Sequence, residues 1–283
     1  MRQPPALSRA TVDRDAATRE SQQALDEAWA RSAVLVVDDD GRALLDGTDL
    51  VLVDPDEAPE GDRLYLGSLA AQAFFAVRGQ LPRRLGTQPK NLRDVGALLS
   101  DRDAGLMVHA VGLANWHAVH PRCPRCGAPT VSVRGGAVRR CEQDGSEHFP
   151  RTDPAMIVLV TDGGERCVLG RQAIWPAGRY STLAGFVEPG ESAEQAVVRE
   201  VMEETGIVVR DVVYKSSQPW PFPASLMLGF NAICDPEAVP VARDGELEDA
   251  RWFSKEELRD GTAMLPTPVS IAYRLITEWL EQP

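Results

Sequence analysis

Residues 185–207 read Gly185-Phe-Val-Glu-Pro-Gly190-Glu-Ser-Ala-Glu-Gln-Ala-Val-Val-Arg199-Glu200-Val-Met-Glu203-Glu204-Thr-Gly206-Ile207. Gly185 and Gly190 bracket a loop that leads into a short helix, and Gly206 is placed to cap the end of that helix. Ala196, Val197 and Val201, with Met202 beside them, give the helix an apolar stripe to hold it against a core. Because each helical residue turns by about 100°, Glu200, Glu203 and Glu204 share an arc of roughly the same width. Crowded carboxylates repel one another unless a cation sits among them. Mg²⁺ and Mn²⁺ take carboxylate oxygens and leave positions for water and substrate phosphate. A solvated acidic face is the ordinary reading of a Glu-Glu pair, but the bracketing glycines and the apolar stripe favour a metal site for phosphate chemistry.

Around this segment the chain reads as strands. Residues 155–160 and 167–170 are paired strands about the Asp162-Gly-Gly turn, further strands follow at 208–213, 225–234 and 249–253, and an amphipathic helix closes the chain near 269–280. Strands, helix, strands, helix predict an α/β sandwich. Upstream, short apolar runs at 33–37, 50–53, 64–66 and 74–77 predict a β-rich half, and wider apolar spacing over 93–120 predicts one or two connecting helices. The fold class is therefore α/β, with an N-terminal β-rich domain (1–120), a small ribbon (121–152) and a C-terminal α/β/α sandwich (153–283).

The ribbon is rich in Cys, Pro, Gly and Arg and too poor in aliphatic residues to fold on apolar burial alone. Cys123-Pro-Arg-Cys126 has the form of a zinc knuckle, and Cys141 starts a second one in which Asp144 stands where the last thiolate belongs. A structural Zn²⁺ held by Cys123, Cys126, Cys141 and either His148 or Asp144 is the expectation; the alternative is a ribbon that packs without metal. Cys167 and Cys234 fall in strands and read as small buried hydrophobes.

The net charge of −12 opposes general binding to a nucleic-acid backbone, although Arg122, Arg125, Arg134, Arg139, Arg140 and Arg151 make the ribbon locally basic. No apolar run approaches a bilayer span, and residues 1–20 lack a signal-peptide core, so no membrane partner and a cytoplasmic setting are expected. After the glutamate helix comes Ser217-Gln-Pro-Trp-Pro-Phe-Pro-Ala-Ser225. Its prolines should end a sheet and form a stiff loop presenting Trp220 and Phe222, a surface suited to stacking a nucleobase or a nicotinamide ring.

The segment from Gly185 matches Gly-x5-Glu-x7-Arg-Glu-U-x-Glu-Glu-x-Gly-U, with U aliphatic, and so resembles the Nudix hydrolase signature at every specified position. Together with the Ser-Gln-Pro-Trp-Pro-Phe-Pro-x-Ser loop it resembles the NADH pyrophosphatase branch, which includes enzymes that remove NAD caps from RNA. The resemblance implies that Glu200, Glu203, Glu204 and the Ala184 carbonyl bind catalytic Mg²⁺ or Mn²⁺, with Glu246 as a downstream metal glutamate. It further implies substrate contacts at Phe149, at Gln218, Pro219, Trp220, Pro221, Phe222, Pro223, Ala224 and Ser225, at Ala272 and, by approximate alignment, at Arg93. Its expected reaction is hydrolysis of the NADH or NAD⁺ diphosphate to nicotinamide mononucleotide and AMP, in a homodimer, with NAD-capped RNA as a further substrate. Two rival readings are a Nudix diphosphatase for ADP-ribose, coenzyme A or another nucleotide, and a nucleic-acid or protein adaptor built on the ribbon beside a vestigial Nudix domain.

Overall fold

The computed structural model describes residues 4–243 and 245–282. They form two compact units, one comprising Leu7–Thr152 together with Pro219–Ala224, the other Asp153–Gln218 and the chain from Ser225 onward.

The first unit opens with two short helices outside the elements predicted from the sequence, α1 (Ala16–Arg19) and α2 (Gln22–Trp29). Each starts at a side chain that accepts a backbone N–H, Asp15 from Thr18 and Ser21 from Ala24. Strands β1 (Ala33–Val37), β2 (Arg42–Asp46), β3 (Asp49–Leu50), β4 (Leu52–Val53), β5 (Leu64–Leu69), β6 (Gln72–Arg78) and β7 (Gln88–Asn91) form sheets ordered β4-β1-β6-β5 and β3-β2-β7. The β1–β6 pair is parallel. Both strands are nearly continuous apolar runs, as expected where a strand is covered on both faces. Helices α3 (Leu92–Val95) and α4 (Asp101–Val119) follow, capped by Asn91 and Ser100. The ribbon is an antiparallel sheet of β8 (Thr130–Val133), β9 (Val138–Cys141) and β10 (Glu147–His148).

In the second unit β11 (Asp153–Thr161), β12 (Arg166–Arg171), β13 (Leu183–Phe186), β14 (Val209–Trp220), β15 (Ser225–Cys234) and β16 (Asp249–Ser254) make one mixed sheet, ordered β14-β15-β11-β12-β16 with β13 also paired to β11. Side chains alternate along β11, so Met156, Val158 and Val160 meet α5 (Ala193–Thr205) through Ala196, Val197 and Val201. Ile157 and Leu159 face the other way, toward α7 (Ile271–Leu280), with its Ile271, Leu275, Ile276 and Trp279. The expected α/β/α sandwich follows from this two-residue period. The short α6 (Lys255–Arg259) lies between β16 and α7 in the chain. On α5, Met202 is 36% exposed and lies outside the buried apolar stripe of Ala196, Val197 and Val201.

The proline-rich loop is shorter than its composition predicts. Strand β14 continues to Trp220, and only residues 221–224 form the turn before β15. The reason is position: β14 is the edge of its sheet, and an edge strand tolerates Pro219 because its outer side supports no ladder. Phe222 N–H bonds the Trp220 carbonyl at 2.7 Å, and the Phe222–Pro223 peptide is cis.

Candidate active site

Helix α5 is held at both ends by local chemistry. Ser192 accepts from Gln195 N–H while the Gln195 side chain accepts from Ser192 N–H, a reciprocal cap. Gly206 closes the helix at φ 72°, where a side chain would also strike the Arg243 guanidinium. The three glutamates between these caps differ in burial: Glu204 is 3% exposed, whereas the Glu200 and Glu203 side chains are 14% and 53% exposed.

Arg199 organises the cluster. Its Nε and Nη2 grip both oxygens of Glu191 at 2.9 Å, Nη1 reaches Glu200 at 2.9 Å and Glu203 at 3.0 Å, and Nη2 also donates to the Phe186 carbonyl at 2.9 Å. This fork geometry ties the loop after β13 to the helix. The hydrogen bonds to Glu191 raise the Arg199 pKa and lower that of Glu191. Desolvation pushes the Glu200 carboxyl upward against the pull of Arg199, and the charges of Glu203 and Glu246 push the same way. Glu246, distant in sequence, is thus electrostatically part of the same group. Gly185 leaves the space the cluster needs: a Cβ there would lie 2.0 Å from the Glu200 carboxyl carbon. Ala184, its neighbour on β13, pairs with Ile157 of β11. Converging carboxylates of which one, Glu200, is pushed away from its ionised form are a donor set suited to a hard divalent cation.

The other predicted substrate residues are placed unevenly. Gln218 is fully buried, and its Nε2 donates to the Val269 carbonyl at 2.6 Å. Ala272 is buried in the α7 core, where its N–H bonds Ser270 Oγ. Ser225 begins β15 opposite Asp153. In the first unit, Trp220 and Phe222 stack edge to face at 4.9 Å. The Arg93 guanidinium lies 4.2 Å from the Phe222 centroid and 5.4 Å from that of Trp220. Phe149 is 63% exposed and borders a cavity of about 440 Å³ with Trp116, His120 and Arg122.

The two halves of the ribbon mirror each other. Gly127 N–H bonds the Cys123 carbonyl and Gly145 N–H bonds the Cys141 carbonyl, with both glycines at positive φ. Asp144 therefore occupies the place that Cys126 holds in the first knuckle. Donor atoms of Cys123, Cys126, Cys141 and Asp144 all lie within 4.8 Å of one another. The Cys126–Cys141 sulfur separation of 3.5 Å is close to the edge of about 3.7 Å that tetrahedral Zn–S bonds require. His148 is not in this set; its Nε2 bonds Ser146 Oγ at 3.1 Å. Ser146 in turn donates to Asp144 through both hydroxyl and amide and holds that carboxyl down to about 2.

The basic character of the ribbon is weaker than its arginines suggest. Arg139 is buried, bonded to Thr130 and His117. Arg134 pairs with Glu20 and Glu147. Arg122, Arg125, Arg140 and Arg151 keep exposed surface or lie at its edge.

Domain profiles match the chain in three successive stretches: an NADH pyrophosphatase-like rudimentary NUDIX domain at 27–116, the NADH pyrophosphatase zinc ribbon domain at 119–149 and the NUDIX domain at 151–280. Over 99% of its length the chain is 38% identical to the NAD-capped RNA hydrolase NudC of Mycobacterium bovis, covering 96% of that protein. The chain belongs to the NADH pyrophosphatase branch of the Nudix hydrolases. NudC of Mycobacterium tuberculosis is likewise 38% identical over 99% of this chain and 96% of its own. The human NAD-capped RNA hydrolase NUDT12 is 37% identical over 64% of this chain and 43% of its own length.

Within the Nudix unit the structure adds a residue that the sequence reading passed over. Phe186 ends β13 with 59% of its surface exposed, beside the carbonyl that Arg199 binds. An exposed aromatic ring tied to the carboxylate cluster is a candidate stacking surface. The signal was present inside the signature itself, at the position after Gly185, but the glutamates drew the reading. No helix among the described residues is long and apolar enough to cross a membrane.

Proposed function

We propose that this protein hydrolyses the diphosphate of NADH and NAD⁺ to nicotinamide mononucleotide and AMP, and removes NAD caps from RNA. The observation that carries the reading is the Arg199-organised cluster of Glu191, Glu200 and Glu203 with buried Glu204 beside it and Gly185 leaving room for Glu200. Full-length similarity to NAD-capped RNA hydrolases supports the substrate class.

Glu200, Glu203, Glu204, Glu246 and the Ala184 carbonyl would hold Mg²⁺ or Mn²⁺. Bound there, such an ion supplies charge neutralisation on the diphosphate and a more acidic water. Either Glu203 or Glu204 takes the proton from the attacking water. Arg199 keeps the carboxylates in register by ion pairing and makes no substrate contact. Phe149, Phe186, Trp220 and Phe222 offer ring faces for the bases, while Gln218 and Ala272 act through the backbone they support. A Zn²⁺ in the ribbon, on Cys123, Cys126, Cys141 and Asp144, contributes folding energy and no chemistry. The working protein is a cytoplasmic homodimer, each chain organised as 1–120, 121–152 and 153–283.

Chromatographic product analysis with NADH, NAD⁺, ADP-ribose and coenzyme A, in Mg²⁺ or Mn²⁺ and with Glu204→Gln as the inactive comparison, tests this. AMP and reduced nicotinamide mononucleotide formed fastest from NADH support it. Faster turnover of another diphosphate, or full activity in Glu204→Gln, refutes it.

A further inference from the structure

The turn between β14 and β15 is built from prolines whose carbonyls must find donors elsewhere. Pro221 and Pro223 have no N–H of their own, and the Phe222 N–H is engaged with Trp220. The donor comes from α4. Gly112 and Asn115 stand one turn apart on the same face of that helix. A Cβ at Gly112 would sit 3.8 Å from the Pro221 side chain, so the helix meets the turn at this level. One turn on, Asn115 Nδ2 donates to the Pro221 carbonyl at 3.0 Å and reaches the Pro223 carbonyl at 3.4 Å. A side-chain amide nitrogen carries two hydrogens and can address both.

A second contact, from α3, reaches the rings of the same segment. The Arg93 guanidinium lies over Phe222 and Trp220, within cation–π range of each. One helix thus fixes the backbone of the turn and the other fixes its rings.

We propose that Asn115 is a positioning residue for substrate recognition, setting the conformation in which Trp220 and Phe222 present their faces. The inference rests on the reading that this segment receives the nicotinamide ring. Asn115 acts on binding through the turn and touches neither the diphosphate nor the carboxylates. Asparagine is required for its donors: aspartate has the same shape but would set an anion against two carbonyl oxygens.

Steady-state kinetics of the full-length enzyme on NADH and on ADP-ribose, which lacks the nicotinamide ring, test it. For Asn115→Ala the KM for NADH should rise about 5- to 10-fold, the factor expected from one net hydrogen bond. Its kcat should stay within about 2-fold, and the KM for ADP-ribose should not move. Asn115→Asp should resemble the alanine variant, and Asn115→Gln should recover part of the loss. An unchanged KM for NADH in Asn115→Ala, or equal losses on both substrates, overturns the inference while leaving the function standing. A wild-type enzyme that hydrolyses ADP-ribose but not NADH refutes both.

Discussion

Replacing Gly185 by alanine isolates the geometry of the carboxylate cluster from its chemistry. The backbone there lies in strand β13 and outside the left-handed region, so alanine is conformationally allowed. Its methyl group, however, would lie 2.0 Å from the Glu200 carboxyl carbon and 2.1 Å from Oε1. Ordinary contact needs roughly 3.4 Å, so one partner must retreat by about 1.4 Å. If α5 moves, overpacking costs about 1–3 kcal/mol; if Glu200 rotates, it loses Arg199 Nη1 and its place among the donors. Metal–ligand distances tolerate only about 0.2 Å, and a misplacement of about 1 Å in a catalytic group costs on the order of 100-fold in rate. Gly185→Ala should therefore remain folded by circular dichroism, bind Mn²⁺ at least about 10-fold more weakly by calorimetric titration, and lose about 100-fold in kcat on NADH. Wild-type Mn²⁺ affinity and turnover in a folded Gly185→Ala protein would refute the argument that Glu200 must sit against this backbone to bind metal.

Two further outcomes are expected. Asp144→Ala should purify with little zinc by elemental analysis, whereas Asp144→Cys and His148→Ala should retain about one equivalent; loss of zinc from His148→Ala alone would reassign the fourth ligand. Burial, with the nearby Arg14 charge, depresses the His109 pKa from 6.5 to about 3. Below pH 6.5 the unfolded chain therefore binds a proton that the native state refuses, and stability falls by about 1.4 kcal/mol per pH unit down to about pH 3. Urea unfolding at pH 7.5 and 5.0 should show a loss of about 2 kcal/mol from this group that His109→Leu lacks; identical pH slopes in the two proteins would rule it out.

What could be read from the chain was whatever a few consecutive residues determine. The caps and glutamate spacing of α5, the period-two strands of the sandwich and the cysteine knuckles are local patterns, and a helix or strand projects such a pattern onto one face whatever surrounds it. The same locality explains the failures. Helix α1 is a single turn with no buried residue and depends on its cap, whereas α2 does carry a helical stripe at Ala24, Leu25, Ala28 and Trp29, too short over eight residues to stand out beside the strand runs that follow. Pro219 stays in a strand because β14 has only one neighbour, a fact about the sheet and not about proline.

The nature of the reaction was thus determined by the sequence itself, since the signature specifies both the carboxylates and the backbone that presents them. Tertiary structure alone decided which groups are available. It buried Gln218 against Val269 and Arg139 against His117, placed the Asp144 carboxylate within 4.8 Å of the three thiols, and joined Asn115 to a turn more than one hundred residues away in the chain. Burial and long-range hydrogen bonding depend on what packs against a side chain, and no spacing within one segment encodes that.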